Sequence, residues 1–296
     1  QVMTAKHLGI QLNQALQQHN TLSILTPLQV NSLKQNATSV TVSLSDGQQL
    51  TTRLLVGADG QFSTIRDLLG LTCWQREYQQ TAITANVIPE RAHQNWAYER
   101  FTEHGPLALL PMSEGRCSLV WTVKTGEEHA LLASNEQQFT ERLQKAFGYR
   151  LGHFEKIGQR SSYPLGLMQT NQPVQNRVVL IGNAAHSLHP IAGQGFNLGL
   201  RDAAVLAELI APHPEDCGHA SLLNDYADWQ QQDQDKVVNA TDFLVNTFSN
   251  KHFLLGHGRS LSLALLNGLP RIKNQLAKTS MGLSGKQSRL SRGLPL

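Results

Sequence analysis

Residues 177–202, RVVLIGNAAHSLHPIAGQGFNLGLRD, constrain the fold more than any other stretch of the chain. They open on four apolar residues, Val178 to Ile181, a run short enough for a buried strand. A sharp turn is predicted at Gly182-Asn183, then a loop holding Pro190, Gly193 and Gly195, then an apolar helix over residues 197–210. A buried strand that feeds a glycine loop and a helix N-terminus aims backbone N–H groups at an electron-rich ligand. Gly193 and Gly195 let the main chain approach where a Cβ would clash. A tightly packed connection without a ligand has the same outline. The small residues Ala184 and Ala185 and the two glycines, all in so short a span, favour the ligand.

A second stretch has a related form. Residues 53–57 read as a strand that runs into Gly57-Ala58-Asp59-Gly60-Gln61-Phe62-Ser63-Thr64-Ile65-Arg66. Ser63 is placed to cap a helix over residues 64–69, and Gly70 to stop it. Asp59 alone would be an ordinary turn residue and Ser63 alone an ordinary cap.

Together the two stretches resemble the FAD-dependent aromatic hydroxylases, the family of p-hydroxybenzoate hydroxylase. Its G-D-A-A-H motif, proline and G-x-G-x-N loop correspond to Gly182-Asn183-Ala184-Ala185-His186, Pro190 and Gly193-Gln194-Gly195-Phe196-Asn197. The resemblance implies that residue 183 bonds the flavin ribityl region and that the loop from Pro190 to Asn197 lies against the isoalloxazine ring. Asn183 departs from the family's Asp. It keeps a carbonyl acceptor and loses the charge, so that contact is expected to be weaker. The earlier stretch matches the family's G-A-D-G-x-x-S-x-x-R, which implies that Asp59, Gly60 and Arg66 sit beside the FAD pyrophosphate and take part in NAD(P)H use. Residues 100–111, RFTEHGPLALLP, and 115–121, GRCSLVW, resemble the ubiquinone-biosynthesis branch, nearest in kind to the 2-octaprenyl-6-methoxyphenol hydroxylases.

The implied fold is of the α/β (α+β) class: an incomplete FAD-binding Rossmann-like domain, an inserted antiparallel-sheet substrate domain and C-terminal helices. The expected divisions are 1–72, a partial FAD-binding domain; 73–168, the substrate sheet; 169–212, the flavin-ring loop and helix; and 213–296, C-terminal helices with a basic tail. The family's opening G-x-G-x-x-G occurs nowhere in the chain. The expectation is that about a hundred residues of the parent protein precede this piece, which alone would bind FAD weakly or not at all and be inactive.

The implied activity is hydroxylation of a polyprenylated phenol in ubiquinone biosynthesis. NAD(P)H reduces FAD, O2 adds to form a C4a-hydroperoxide, and one oxygen passes to the ring. The implied partners are the polyprenyl phenol, O2, other ubiquinone-biosynthesis proteins and a membrane surface; the implied location is cytoplasmic, with peripheral contact at the inner membrane. A flavin-poor structural subunit of a quinone-biosynthesis complex, or another flavin monooxygenase on this fold, stays open beside it.

The rest of the sequence narrows the field. Its 296 residues, 40% hydrophobic and 16% charged, describe a globular chain. No signal-peptide pattern opens it, and no run reaches the 18 to 20 apolar residues, roughly, that cross a bilayer. Cys73, Cys117 and Cys217 lack C-x-x-C spacing and read as reduced thiols. No H-E-x-x-H, Cys/His cluster or G-x-S-x-G is present, so neither a metal nor a catalytic residue is assigned. His186 and His189 flank the glycine loop as hydrogen-bond spacers or as a base. From Lys251 onward there are eight Lys or Arg and no acid, against 17 basic and 22 acidic residues before it. Leu261, Leu265, Leu269, Ile272 and Leu276 run beside that charge, with a kink expected at Pro270. The pattern fits a membrane surface or a docking helix; with no aromatic residue but Phe253, it does not fit nucleic acid.

Helices are predicted over 2–18, with Leu8, Leu12, Ala15 and Leu16 on one face, and over 135–147, with Phe139, Leu143 and Phe147. Strands are predicted over 21–25, 81–87, 98–102, 107–111 and 117–123, and a meander through Val30, Leu33, Val40, Val42 and Leu44 with its turn at Asp46-Gly47. Phe101, Leu109 and Trp121 are either core or substrate-facing. Leu222, Tyr226 and Trp229 give one helical face; Val237, Thr241, Leu244 and Phe248 give another after the polar interval 230–235.

Overall fold

The computed structural model describes residues 4–188, 194–248, 274 and 285–296. The chain begins with α1 (Ala5–Leu16), capped by Thr4, whose hydroxyl accepts from His7 N at 3.2 Å. The predicted apolar face is there but covers nothing: no α1 residue is buried. The strand expected over 21–25 does not form, and Leu22, Ile24 and Leu25 are exposed. An apolar run becomes a strand only when a neighbouring edge takes its backbone groups.

The meander forms as β1 (Val30–Gln35), β2 (Val40–Leu44) and β3 (Gln49–Thr52), all antiparallel. Asp46 Oδ1 accepts from Gln48 N at 3.0 Å and Gly47 takes φ 87°, which close its turn. β4 (Leu55–Gly57) and the short helix α2 (Thr64–Leu68) follow. Next come β5 (Cys73–Pro89), β6 (Tyr98–Thr102), β7 (Gly105–Pro111), β8 (Cys117–Lys124), α3 (Glu127–Ala133) and α4 (Glu136–Phe147). The chain continues through β9 (Phe154–Ile157), β10 (Ser161–Thr170), β11 (Val174–Gln175), β12 (Val178–Leu180) and β13 (His186–Ser187). α5 (Gln194–Ile210) and α6 (Ala220–Phe248) follow, and a single 3-10 turn spans Leu290–Arg292. This mixture of antiparallel strands, one parallel pair and helices is the α/β (α+β) class expected.

Two compact units result. One comprises Gln1–Pro27 with Gln79–Leu165, the other Leu28–Tyr78 with Gly166–Leu296. In the first, β5, β8, β7 and β6 pair antiparallel in that order, and β9 joins β5, which β10 also pairs. Strand alternation sends Ile83, Ala85, Val87, Leu107, Leu109, Leu119, Trp121 and Val123 to one face, where they pack with Phe139, Leu143 and Phe147 of α4. Trp121 meets Phe139 edge to face at 5.8 Å. Asn135 and Gln138 close a capping box at the start of α4, and Gly148 ends it at φ 88°. Leu109 and Trp121 are therefore core residues. The other face carries two rows of small and polar side chains, Thr84–Val120–Ala108 and Asn86–Ser118–Leu110, exposed or half-buried.

In the second unit β4 and β12 pair parallel, with Gly57 level with Leu180, and β11 pairs antiparallel with β12. Three layers form around β12. Val178 and Leu180 face Val40, Val42, Leu44 and Ile65, while Val179 faces Val205, Leu206, Leu223 and Tyr226 of α5 and α6. The polar interval 230–235 lies within one helix: α6 runs unbroken for 29 residues. Gln234 there accepts from Gln169 Nε2 at 3.3 Å, and Asp233 accepts from Arg201 Nε at 2.7 Å. The side chains of Val237, Thr241, Leu244 and Phe248, and the 261–276 pattern with Pro270, lie outside the described residues. No helix among the described residues is long and apolar enough to cross a membrane.

Candidate functional site

Both sequence stretches start where β4 and β12 end. Parallel strands that finish side by side leave a crevice beyond their carboxyl ends, the usual ligand position in open α/β sheets. Gly57 must lack a side chain there, because a Cβ would come within 2.6 Å of Leu180 Cδ2.

Past β4, Asp59 organises the turn. Its Oδ1 accepts from Ser63 Oγ at 2.5 Å and its Oδ2 from Ile65 N at 3.1 Å. Ser63 Oγ in turn accepts from Arg66 N at 3.0 Å, the predicted cap. Gly60 takes φ 87°, with open space where a Cβ would stand. Arg66 is 8% exposed. Its guanidinium donates to Gln61 O at 2.8 Å and to Ala184 O at 3.0 Å. Asp67 approaches Arg66 Nε only to 4.0 Å, so main-chain carbonyls hold this cation. The bond to Ala184 ties the two stretches into one site.

Past β12, residues 182–184 form a single 3-10 turn, with Gly182 at φ 57°. Asn183 is exposed, its amide free to face a ligand, while Ala184 and Ala185 are buried. Pro190 and Gly193 lie outside the described residues, as do His189 and the side chain of Gln194. Gln194 opens α5, three residues earlier than predicted, and puts Gly195, Phe196 and Asn197 in its first turn. Phe196 and Asn197 are exposed, Phe196 by 59%. First-turn N–H groups lack intrahelical partners and carry the positive end of the helix dipole. The structure thus brings Asp59, Gly60 and Arg66 to the same strand ends as Gly182 and Asn183.

Sequence reasoning missed Asp202. It is fully buried, and its Oδ2 accepts from Gly182 N at 2.7 Å and from His186 Nε2 at 2.6 Å. The available signal was a carboxylate at the buried spacing of Leu198 and Val205. Also unforeseen was Arg177, which donates to Ala37 O, to Arg53 O and to both oxygens of Asp216. That pair holds the Asp216 carboxyl below its ordinary range. It braces the start of β12 rather than its ligand end.

A family model for the FAD binding domain matches residues 4–241. The chain belongs to this FAD-binding family, and ubiquinone-biosynthesis hydroxylases are among the proteins it is similar to. It is 38% identical over 280 residues to the ubiquinone hydroxylase UbiL of Rhodospirillum rubrum, covering 93% of this chain and 65% of that one. The mitochondrial ubiquinone biosynthesis monooxygenase COQ6 of Xenopus tropicalis is 33% identical, over 80% of this chain and 59% of its own length. Ubiquinone hydroxylase UbiM of Neisseria meningitidis is 30% identical, over 91% and 59%. The chain therefore spans about two thirds or less of the curated relatives it matches. Among solved structures the fold is similar to OxyS anhydrotetracycline hydroxylase of Streptomyces rimosus, at TM-score 0.70 and 23% identity over 97% of this chain and 57% of that one. It is similar also to HpxO of Klebsiella pneumoniae complexed with FAD and uric acid, at TM-score 0.69 and 22% identity over 86% and 66%.

The residues present fit a flavin nucleotide. A positive-φ glycine with open space at Cβ, an exposed amide at 183 and the first turn of α5 all belong to two strand ends joined through Arg66. A phosphate-rich, ring-bearing ligand needs such backbone donors and close approaches.

Proposed function

We propose that this chain carries the flavin-facing and substrate-facing parts of an FAD-dependent monooxygenase that hydroxylates a polyprenylated phenol in ubiquinone biosynthesis. The observation that carries the reading is the Arg66–Ala184 bond, which makes one site of two motifs 118 residues apart. Bound FAD would supply the redox chemistry, taking electrons from NAD(P)H and activating O2. Asp59, Gly60 and Arg66 would hold the pyrophosphate side, and Gly182, Asn183 and the segment from Pro190 through Gly193, Gln194, Gly195 and Phe196 to Asn197 the ribityl and ring side. First-turn N–H groups of α5 favour negative charge on a ligand there. Asn183 offers a neutral acceptor where the family has a carboxylate, so N183D should tighten FAD binding severalfold.

The substrate surface in this reading is the half-exposed part of the face opposite α4 on the first unit's sheet, Thr84–Val120–Ala108 and Asn86–Ser118–Leu110. Its small side chains leave room for a ring, and Thr84, Asn86 and Ser118 supply hydrogen-bond partners for ring oxygens. At roughly 25 cal/mol per Å² of apolar surface buried, a polyprenyl tail adds substantial affinity. A peripheral membrane contact through the basic segment 251–296 suits such a tail, and loss of liposome binding on deleting that segment is its test.

The experiment is to load the protein at its full native length with FAD and add NAD(P)H with a short or a prenylated phenol. Phenol-stimulated NAD(P)H oxidation with one oxygen gained by the prenylated product supports the reading. Hydroxylation of the short phenol alone favours another flavin monooxygenase on this fold. The neutral Asn183 favours a second reading, a flavin-poor structural subunit among other ubiquinone-biosynthesis proteins. Co-purification with those proteins and no FAD uptake would establish that instead.

A further inference from the structure

Helix α5 buries Leu198, Asp202 and Val205 along one stripe, at spacings of four and three. A carboxylate in the middle of that stripe breaks the local pattern, and such breaks concentrate at functional sites. Asp202 is 0% exposed and His186 1%. An ionised carboxylate only accepts, so Gly182 N–H and His186 Nε2–H both donate to Oδ2, at 2.7 and 2.6 Å. Gly199, on the same side of α5, lies so close that a Cβ on it would stand 3.2 Å from Gly182 Cα. These contacts bracket the flavin loop from both sides: Gly182 and His186 precede it, and Asp202 follows it.

Packing alone does not account for the pair. His186 Nδ1 and Asp202 Oδ1 are buried with no hydrogen-bond partner among the described residues. Replacing a buried pair with apolar residues of similar volume is often neutral or stabilising. The pair supplies direction instead. A helix slipped by one residue moves about 1.5 Å along its axis, enough to break both bonds to Oδ2.

We propose that Asp202 is a positioning residue: through Gly182 and His186 it fixes the axial height and rotation of α5, and so the aim of its first-turn N–H groups at the flavin. This rests on the flavin reading above. It predicts that shape can be kept and function lost.

The test compares the wild-type chain with D202A, the conservative D202N and the apolar double variant H186L/D202L. The readouts are melting temperature, FAD titration by quenching of flavin fluorescence, and amide exchange over residues 182–188 and 194–198. The double variant should melt at or above the wild-type temperature while its FAD dissociation constant rises about tenfold or more, as for a misaimed contact. Exchange over both segments should quicken about tenfold. In D202A both donors lose their acceptor, whereas in D202N the amide oxygen can take the place of Oδ2 and accept from Gly182 N–H and His186 Nε2–H alike. Exchange should therefore quicken in D202A and stay near wild type in D202N, and D202A carries the test if the double variant fails to fold. A double variant that folds, exchanges and binds FAD like wild type overturns the proposal. If the wild-type chain does not quench flavin fluorescence, the flavin reading of this chain fails and exchange alone decides: quickened exchange in D202A upholds the lock, and unchanged exchange removes it.

Discussion

The two units stabilise themselves by different means. The sheet of the first unit is held by apolar alternation against α4, with Ile83, Leu107, Leu109, Leu119, Phe139 and Leu143 at its centre. The second unit also has apolar layers, but at the ends of β4 and β12 it buries Arg66, His186 and Asp202. A buried polar group destabilises a fold unless it is fully bonded. The contrast separates residues that build from residues that aim.

The largest expected effect breaks the first unit alone. Phe139 is fully buried and packs on Trp121. F139A should lower stability by about 3–5 kcal/mol, measured by denaturant melts, through lost transfer energy and the cavity left behind. Protein that remains folded should bind FAD as before. Next comes Arg66→Met in the second unit. It removes the donor to Gln61 O and Ala184 O, and hydrogen bonds to a charged group contribute about 1.5–3 kcal/mol. R66M should lose less stability than F139A yet bind FAD at least about tenfold more weakly, because it separates the two strand-end stretches. If both variants lose stability and FAD affinity in the same proportion, the division between building and aiming is wrong.

The contrast also explains what could be read from the sequence. Local patterns revealed the meander, the turn at Asp46-Gly47, the Ser63 cap and α4, because each depends on alternation, capping or a three-four spacing within a few residues. The Gly57–Arg66 and Gly182–Ala185 stretches were legible because backbone geometry demands glycines and a cap at fixed positions. Distant partners were not legible. The pattern of α1 and the run 21–25 looked as sound as that of α4, yet neither is buried in this chain. β10 was passed over because Pro164 and Gly166 weaken its strand pattern. The polarity of residues 230–235 could not be explained locally, because Gln169 and Arg201, which bind Gln234 and Asp233, are some thirty or more residues away. Asp202 was missed for the same reason: its donors, Gly182 and His186, lie 20 and 16 residues earlier.

A smaller effect sharpens the comparison through two helical glycines. Alanine in a helix interior is favoured over glycine by about 1 kcal/mol. Gly9 in α1 has nothing within 4 Å of a Cβ, so G9A should raise stability by up to that amount. At Gly199 the new methyl would stand 3.2 Å from Gly182 Cα, which is backbone held by Asp202. Overpacking there costs about 1–3 kcal/mol, so G199A should lower stability by about 1 kcal/mol net. Opposite signs in paired melts support the close α5 contact; equal gains would show that the turn yields.

The smallest effect is read in alkali, where each unit buries one neutral acid. Burial pushes the Cys117 thiol up from 9.0 to about 11. Burial, with the Asp202 charge adding to it, pushes the Tyr226 phenol well above 10.0. A raised folded value means the folded state holds its proton longer than the unfolded chain does. Each group's contribution is therefore complete below its unfolded value and is lost as pH rises above it. The first unit should begin to weaken near pH 9, by about half a kcal/mol there, and the second only from about pH 10 upward. Stability curves normalised at neutral pH should lose the earlier step in C117A and the later one in Y226F. Tyr226 donates to Leu180 O at 3.4 Å, at the ligand end of β12, so its step should come with loss of FAD binding while that of Cys117 should not. If C117A instead protected FAD binding near pH 9, the units would be too strongly coupled for the contrast between them to hold.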